Sequence, residues 1–204
     1  MRIGFLGAGA LAQTLSKKFL AANHQVLLSN SRGADSLADL IKSLGPAASA
    51  TTPDELQAGC EVVILAFRWE QKEAALADLP DWGGTIVVDT LNNRNGPGPR
   101  DLIAIPKSTS SEVVADLLPG ARIVKAFNHA PIPALAEPDD GAMFYCGDDP
   151  QAKTVVASLI TDIGGTPIDT GGLIEGGKLQ GTGHRLAGHG RLLSVSEARR
   201  LMDA

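Results

Sequence analysis

The chain has 204 residues, 44% of them hydrophobic and 20% charged, with a formal net charge of −5. That is the make-up of an ordinary globular chain with apolar mass for one large core, with or without a small appendage. The acidic balance argues against nucleic acid or an anionic membrane as main partner, and the longest apolar run, Val62 to Phe67, is far too short to span a bilayer.

The chain opens on an apolar run, Arg2 to Leu6, expected as a strand. It meets Gly7-Ala8-Gly9-Ala10-Leu11-Ala12, a G-x-G-x-x-A turn, and a helical stretch is expected over 10–22. A second strand is expected over 25–28. Strand, glycine turn, helix, strand is the dinucleotide-binding βαβ pattern. In that reading Gly7 permits the tight turn, Gly9 lets backbone approach a pyrophosphate, and Ala12 keeps the helix close to the strand. The pyrophosphate lies where helix N–H groups are unpaired and the helix dipole is positive.

The second strand ends in Ser29-Asn30-Ser31-Arg32. NAD sites usually carry Asp or Glu near this point to bond the ribose 2′-hydroxyl. Here no acid stands between Gly9 and Asp35. Neutral hydrogen-bonding groups on Ser29, Asn30 and Ser31, and the guanidinium fork of Arg32, suit a 2′-phosphate instead. The expected cofactor is therefore NADP(H), with Asn30, Ser31 and Arg32 in its site.

Further strands are expected at 47–50, 62–66, 85–89, 123–126, 142–146 and 166–169. Helices are expected at 34–43, 53–57, 70–79, 111–118 and 150–163. The early strand runs are continuously apolar, as suits a parallel sheet buried on both faces. Thr52-Pro53 and Asp149-Pro150 read as helix starts, and Gly164-Gly165 as a helix end. Strands alternating with helices give an α/β fold, a Rossmann-like doubly wound and mainly parallel sheet. Residues 1–170 are expected to form the nucleotide-binding domain. Residues 171–204 form a C-terminal extension, expected either to cover an acceptor site or to make a homodimer contact.

Ligands of such sheets bind beyond the carboxyl ends of the strands. Phe67 and Trp69 follow the fourth strand, where they line the nicotinamide side of a cleft or pack the next helix. Thr90 and Asn92 follow the fifth, in a polar loop punctuated by Gly96-Pro97-Gly98-Pro99, and are candidates to hold a carboxamide. Asp89 reads as an acceptor orienting that loop. Asn128 and His129 follow the sixth strand, and His129 is the weak candidate for a proton donor, against the plainer reading of a hydrogen-bonded structural histidine. His184 and His189 lack a third ligand, and Cys60 and Cys146 show no metal spacing, so no metal is expected. A reduced, cytoplasmic chain is expected, since the first residues enter a strand at once with no signal-peptide layout.

Several of these segments together resemble one family. They are Gly7-Ala8-Gly9, Ser29-Asn30-Ser31-Arg32-Gly33, Val124-Lys125-Ala126-Phe127-Asn128, Cys146-Gly147-Asp148-Asp149 and Ile168-Asp169-Thr170-Gly171-Gly172-Leu173. The family is the NADPH-dependent reductases of the deazaflavin coenzyme F-420, similar to the reductase part of STEAP metalloreductases. The resemblance implies hydride transfer between NADP and a deazaflavin or flavin. It implies Gly7, Gly9, Ala10 and Leu11 over the pyrophosphate, and Asn30, Ser31 and Arg32 on the 2′-phosphate. It places Ala66, Phe67 and Trp69 beside the cofactor and Asn128 near the nicotinamide. The loop at 92–95 and the glycine-rich tail at 181–190 depart from that family, which leaves the small-molecule acceptor open. Two other readings stand beside it. One is a reductase of a small imine or ketone, since pyrroline-5-carboxylate reductases share a similar opening. The other is a non-catalytic NADPH-binding redox sensor.

Overall fold

A computed structural model describes residues 1–77, 79, 81–96 and 101–203. Eight strands form one sheet: β1 (Arg2–Leu6), β2 (Gln25–Ser29), β3 (Ala48–Ala50), β4 (Val62–Leu65), β5 (Ile86–Asp89), β6 (Arg122–Ala126), β7 (Ala142–Gly147) and β8 (Thr166–Asp169). Their order is β3-β2-β1-β4-β5-β6-β7-β8. Strands β1 to β6 run parallel, β7 is antiparallel to β6, and β8 is parallel to β7. The α/β, Rossmann-like architecture is the one the apolar runs predict, and every run read as a strand is one.

The continuous apolar runs arise because both sheet faces are covered. In β4, Val62 and Ile64 join one core cluster with Leu15 and Phe19 of α1 (Ala10–Ala21) and Val156 and Leu159 of α7 (Pro150–Asp162). Val63 and Leu65 point the other way, into a second cluster with Leu56 of α3 (Pro53–Gly59), Leu76 of α4 (Lys72–Leu76) and Val114 of α5 (Ser110–Leu117). A period of two along a strand buried on both sides leaves no polar position.

The expected caps form. The Asp149 carboxylate accepts from Ala152 N–H at 2.7 Å, with Pro150 at the first helical position of α7. Gly164 at φ +91° closes that helix. The segment expected as a helix over 34–43 is a 3-10 turn, Ala34–Leu37, followed by α2 (Ala38–Leu44). The one over 70–79 is likewise a 3-10 turn, Trp69–Gln71, followed by α4. The end of that expected helix at 78, and Pro97 to Pro99 of the punctuated loop, lie outside the described residues.

Three helices were not anticipated: α6 (Ile132–Ala136), α8 (Leu173–Gln180) and α9 (Val195–Met202). Helix α8 hides behind Gly176 and Gly177, residues that disfavour helix by about 1 kcal/mol each. They are there for closeness: a Cβ on Gly176 would stand 2.3 Å from Cys146 Cβ. Helix α9 carries a legible start, since Ser194 Oγ accepts from Glu197 N–H and the Glu197 carboxylate accepts from Ser194 N–H. The C-terminal extension packs on the same sheet, with Leu186, Leu193 and Ala198 clustered on Ala142 and Phe144 of β7. Among the described residues no helix is long and apolar enough to cross a membrane.

Candidate functional site

Parallel strands deliver their carboxyl ends to one edge, so the loops after β1, β2, β4, β5 and β6 meet there. The strand order turns around between β1 and β4, which opens the crevice where dinucleotides bind such sheets. Residues after β2 belong to one half of that crevice, and residues after β4, β5 and β6 to the other.

The two glycines of the first turn have different jobs. Gly7 lies at φ +109°, and its N–H donates to Ser29 C=O at 2.9 Å. A Cβ there would stand 2.3 Å from the Ala66 carbonyl oxygen. Gly7 therefore joins the ends of β1, β2 and β4. Gly9 has an ordinary backbone (φ −74°, ψ −172°), and a Cβ there would meet no heavy atom within 4 Å. It is the N-cap of α1 and offers no side-chain acceptor, and the first turn of α1 carries no acid. In α5, α7 and α9 a Thr109, Asp149 or Ser194 oxygen fills that role. The first-turn amides of α1, at Ala10, Leu11 and Ala12, thus have no side-chain cap, and the space beside Gly9 is open, the arrangement that suits an anion. Ala12 itself is fully buried against the sheet.

After β2, Asn30 shapes its own loop. Its Oδ1 accepts from Arg32 N–H at 2.9 Å, and its Nδ2 donates to Ser36 Oγ at 3.0 Å. Ser31 and Arg32 are exposed, and the Arg32 guanidinium has no ion-pair partner among the described residues. The loop is thus preorganised by Asn30 and presents one free fork.

On the other half, Ala66 is buried, and Trp69 is sunk in the second core cluster with Lys72 Nζ 4.4 Å above its ring. Trp69 therefore packs the following helix, whereas Phe67 is only half-buried. The Thr90 hydroxyl donates to Leu65 C=O at 2.6 Å, tying the β4 and β5 ends together. Asn92 and Asn128 face each other: Asn92 Nδ2 donates to Asn128 C=O at 2.9 Å, and Asn128 Nδ2 to Asn92 Oδ1 at 3.2 Å. Asn128 Nδ2 also donates to Gln180 C=O at 3.0 Å, at the end of α8. Phe127, just before, sits at φ +60° with its ring against Phe19 (centroids 6.4 Å apart). A bulky residue in that conformation stores strain, and such strain clusters at functional sites. The buried Phe127 ring anchors the bend that aims Asn128 at Asn92.

His129 is buried against Phe144, ring centroids 4.9 Å apart, and neither ring nitrogen has a hydrogen-bond partner. Burial pushes its pKa down to about 4; the Ala142 backbone opposes this and His189 adds to it. The imidazole is neutral near pH 7 and faces an apolar ring, without the hydrogen bond expected of a structural histidine at a strand end. His184 and His189 are exposed in the tail, and His189 Nε2 lies 2.8 Å from Arg185 C=O.

One group escaped the sequence reading. Lys125 and Asp89 form an ion pair at 3.0 Å with both side chains fully buried. The visible signal was a lysine in the middle of the apolar run Ile123 to Phe127. Asp89 does orient its loop, as expected, by accepting from Leu91 N–H at 2.8 Å.

The family model described as NADP oxidoreductase, coenzyme F420-dependent, matches residues 2–93. The chain is 30% identical over 189 residues to metalloreductase STEAP3 of Rattus norvegicus, covering 91% of this chain and 37% of that protein. It is 33% identical over 121 residues to the F420-dependent NADP reductase of Methanocaldococcus jannaschii, covering 55% of this chain and 54% of that one. The chain thus spans about half or less of those two relatives. A crystal structure of a hypothetical protein from Sinorhizobium meliloti superposes with a TM-score of 0.84 at 32% identity, covering 95% of both chains.

Proposed function

On the match of residues 2–93 to the family model of coenzyme F420-dependent NADP oxidoreductases, we propose that the chain transfers a hydride between NADPH and a flavin- or deazaflavin-type acceptor. The observation that carries the cofactor half is the uncapped, open Gly9 turn paired with a free Arg32 and no acid at the end of β2. The residues fit NADP(H) at the far end as well, because Asn128 Oδ1 is buried without a partner and suits a carboxamide N–H. Arg32 and Ser31 hold the 2′-phosphate, the α1 amides hold the pyrophosphate, and Asn92 and Asn128 orient the nicotinamide. Bound NADPH supplies two electrons and a proton as hydride, and the reduced acceptor ring takes its further proton from water.

Arg32→Ala is expected to weaken NADPH binding by about 1–3 kcal/mol, the scale of a charge-assisted hydrogen bond, and to leave NADH nearly unchanged. Calorimetry with both cofactors decides it, and equal wild-type affinities for NADPH and NADH would end the NADP assignment.

The acceptor half rests on His129. Reduction of a carbonyl or imine develops charge that a proton donor relieves, worth about 10²–10⁴-fold, whereas stacked rings need positioning. A neutral, apolar-packed His129 does not supply that donor. His129→Ala should therefore slow NADPH oxidation by a flavin by less than about tenfold. A thousandfold loss with cofactor binding intact would restore the imine or ketone reductase. Binding without turnover of any acceptor would favour the redox sensor. The same variant has a stability readout. Between pH 6.5 and about 4 the unfolded imidazole takes a proton that the folded one refuses. The stability from a neutral His129 is complete above pH 6.5 and falls by about 3 kcal/mol by pH 4. His129→Ala should remove that part of the acid sensitivity in urea unfolding.

A further inference from the structure

The buried Asp89–Lys125 pair has no part in the scheme above, and its surroundings are unusual. Each of the three Lys125 ammonium donors has an acceptor: Asp89 Oδ2 at 3.0 Å, Leu91 C=O at 2.8 Å and Ser110 Oγ at 3.2 Å. Asp89 accepts from Leu91 N–H on Oδ1, and from Ser111 Oγ at 2.6 Å on Oδ2 besides Lys125. Both side chains are 0% exposed. A pair so placed is a poor source of stability, because desolvating two charges offsets their attraction, and apolar replacements of similar volume often do as well. What the pair does fix is geometry. The carboxylate holds the N–H of Leu91 and the ammonium holds its C=O, so the peptide groups on both sides of this residue are pinned from beneath. Leu91 stands between Thr90 and Asn92, and Asn92 is the partner of Asn128 across the strand ends. Lys125 is three residues before Asn128 on β6, so one ion pair ties both arms of the Asn92–Asn128 contact to the sheet.

We infer that Asp89 and Lys125 are positioning residues, which set the Asn92–Asn128 amide pair for the nicotinamide carboxamide without touching the cofactor. The inference rests on the NADP reading. It assigns the pair to the nicotinamide half of the crevice alone, since neither residue reaches the α1 amides or the loop of Arg32.

The test uses two probes, NADPH and adenosine 2′,5′-bisphosphate, which carries the 2′-phosphate but no nicotinamide. The variant is the neutral double Asp89→Asn/Lys125→Met, which leaves no unpaired buried charge. The folded variant is expected to bind adenosine 2′,5′-bisphosphate within about twofold of wild type and NADPH about tenfold more weakly. Ser111→Ala, which removes only one donor to Asp89, should shift NADPH in the same direction by about threefold, again with the bisphosphate unchanged; it carries the test if the double variant does not fold. Unchanged NADPH affinity, or equal weakening of both probes in a folded variant, would overturn the positioning role and leave a merely structural pair. Failure of the wild-type protein to bind either probe would instead remove the NADP reading itself.

Discussion

Replacing Gly9 with valine is expected to abolish NADPH binding while the protein stays folded. The backbone at Gly9 is extended, at φ −74° and ψ −172°, so a β-branched residue adopts it without strain. A Cβ meets no protein atom within 4 Å, so the apo fold accepts the side chain. The cost in stability is confined to a poorer N-cap, about 1 kcal/mol. The same open space is where backbone must approach a pyrophosphate, and an isopropyl group filling it would bar the α1 amides from the phosphate oxygens. Affinity should fall by about a hundredfold or more, roughly 3 kcal/mol. Fluorescence titration with NADPH, beside circular dichroism and a melting curve, measures both halves. Normal binding by the folded variant would place the phosphates elsewhere.

The parts of this site that could be read without coordinates are those fixed by local chemistry. Gly9 before an apolar helix, and Arg32 after a strand with no acid nearby, each act through a few consecutive residues. So do Asp149-Pro150 and Gly164, which start and stop α7. What stayed hidden depends on partners distant in sequence. The reversal of β7 is one case: Pro138-Asp139-Asp140-Gly141 carries a turn signal, with both aspartates at positive φ, but a turn dipeptide does not say that the chain returns antiparallel by way of the short α6. Helix α8 is another, since its glycines disfavour helix locally and are explained only by Cys146 and Thr109 beneath them. Trp69 had two equal readings, because aromatic type at a strand end does not say which way a ring turns. Lys125 is the sharpest case. A lysine in an apolar strand run looks like an edge or a solvated position until Asp89, thirty-six residues away, is seen beside it.

Gly7→Ala is expected to do the reverse of Gly9→Val, damaging the fold before it damages binding. Gly7 lies at φ +109°, a conformation that L-residues rarely adopt, and a single methyl group there would stand 2.3 Å from the Ala66 carbonyl oxygen and 2.7 Å from its carbon. That neighbour is backbone, and it cannot swing aside as a flexible side chain can. Ala66 N–H donates to Leu6 C=O at 2.8 Å, and Gly7 N–H to Ser29 C=O at 2.9 Å, so relieving the clash means separating the ends of β1, β2 and β4. The backbone strain alone is about 1–2 kcal/mol, and displaced strand ends with lost hydrogen bonds bring the total to about 3–5 kcal/mol. Against a total stability of about 5–15 kcal/mol this is a large fraction. Urea unfolding should show the midpoint falling steeply for Gly7→Ala and only slightly, by the N-cap cost of about 1 kcal/mol, for Gly9→Ala, two methyl groups placed two residues apart. Equal midpoints for the two variants would mean that the first glycine is needed only for the ligand, and that the separate jobs assigned to Gly7 and Gly9 are mistaken.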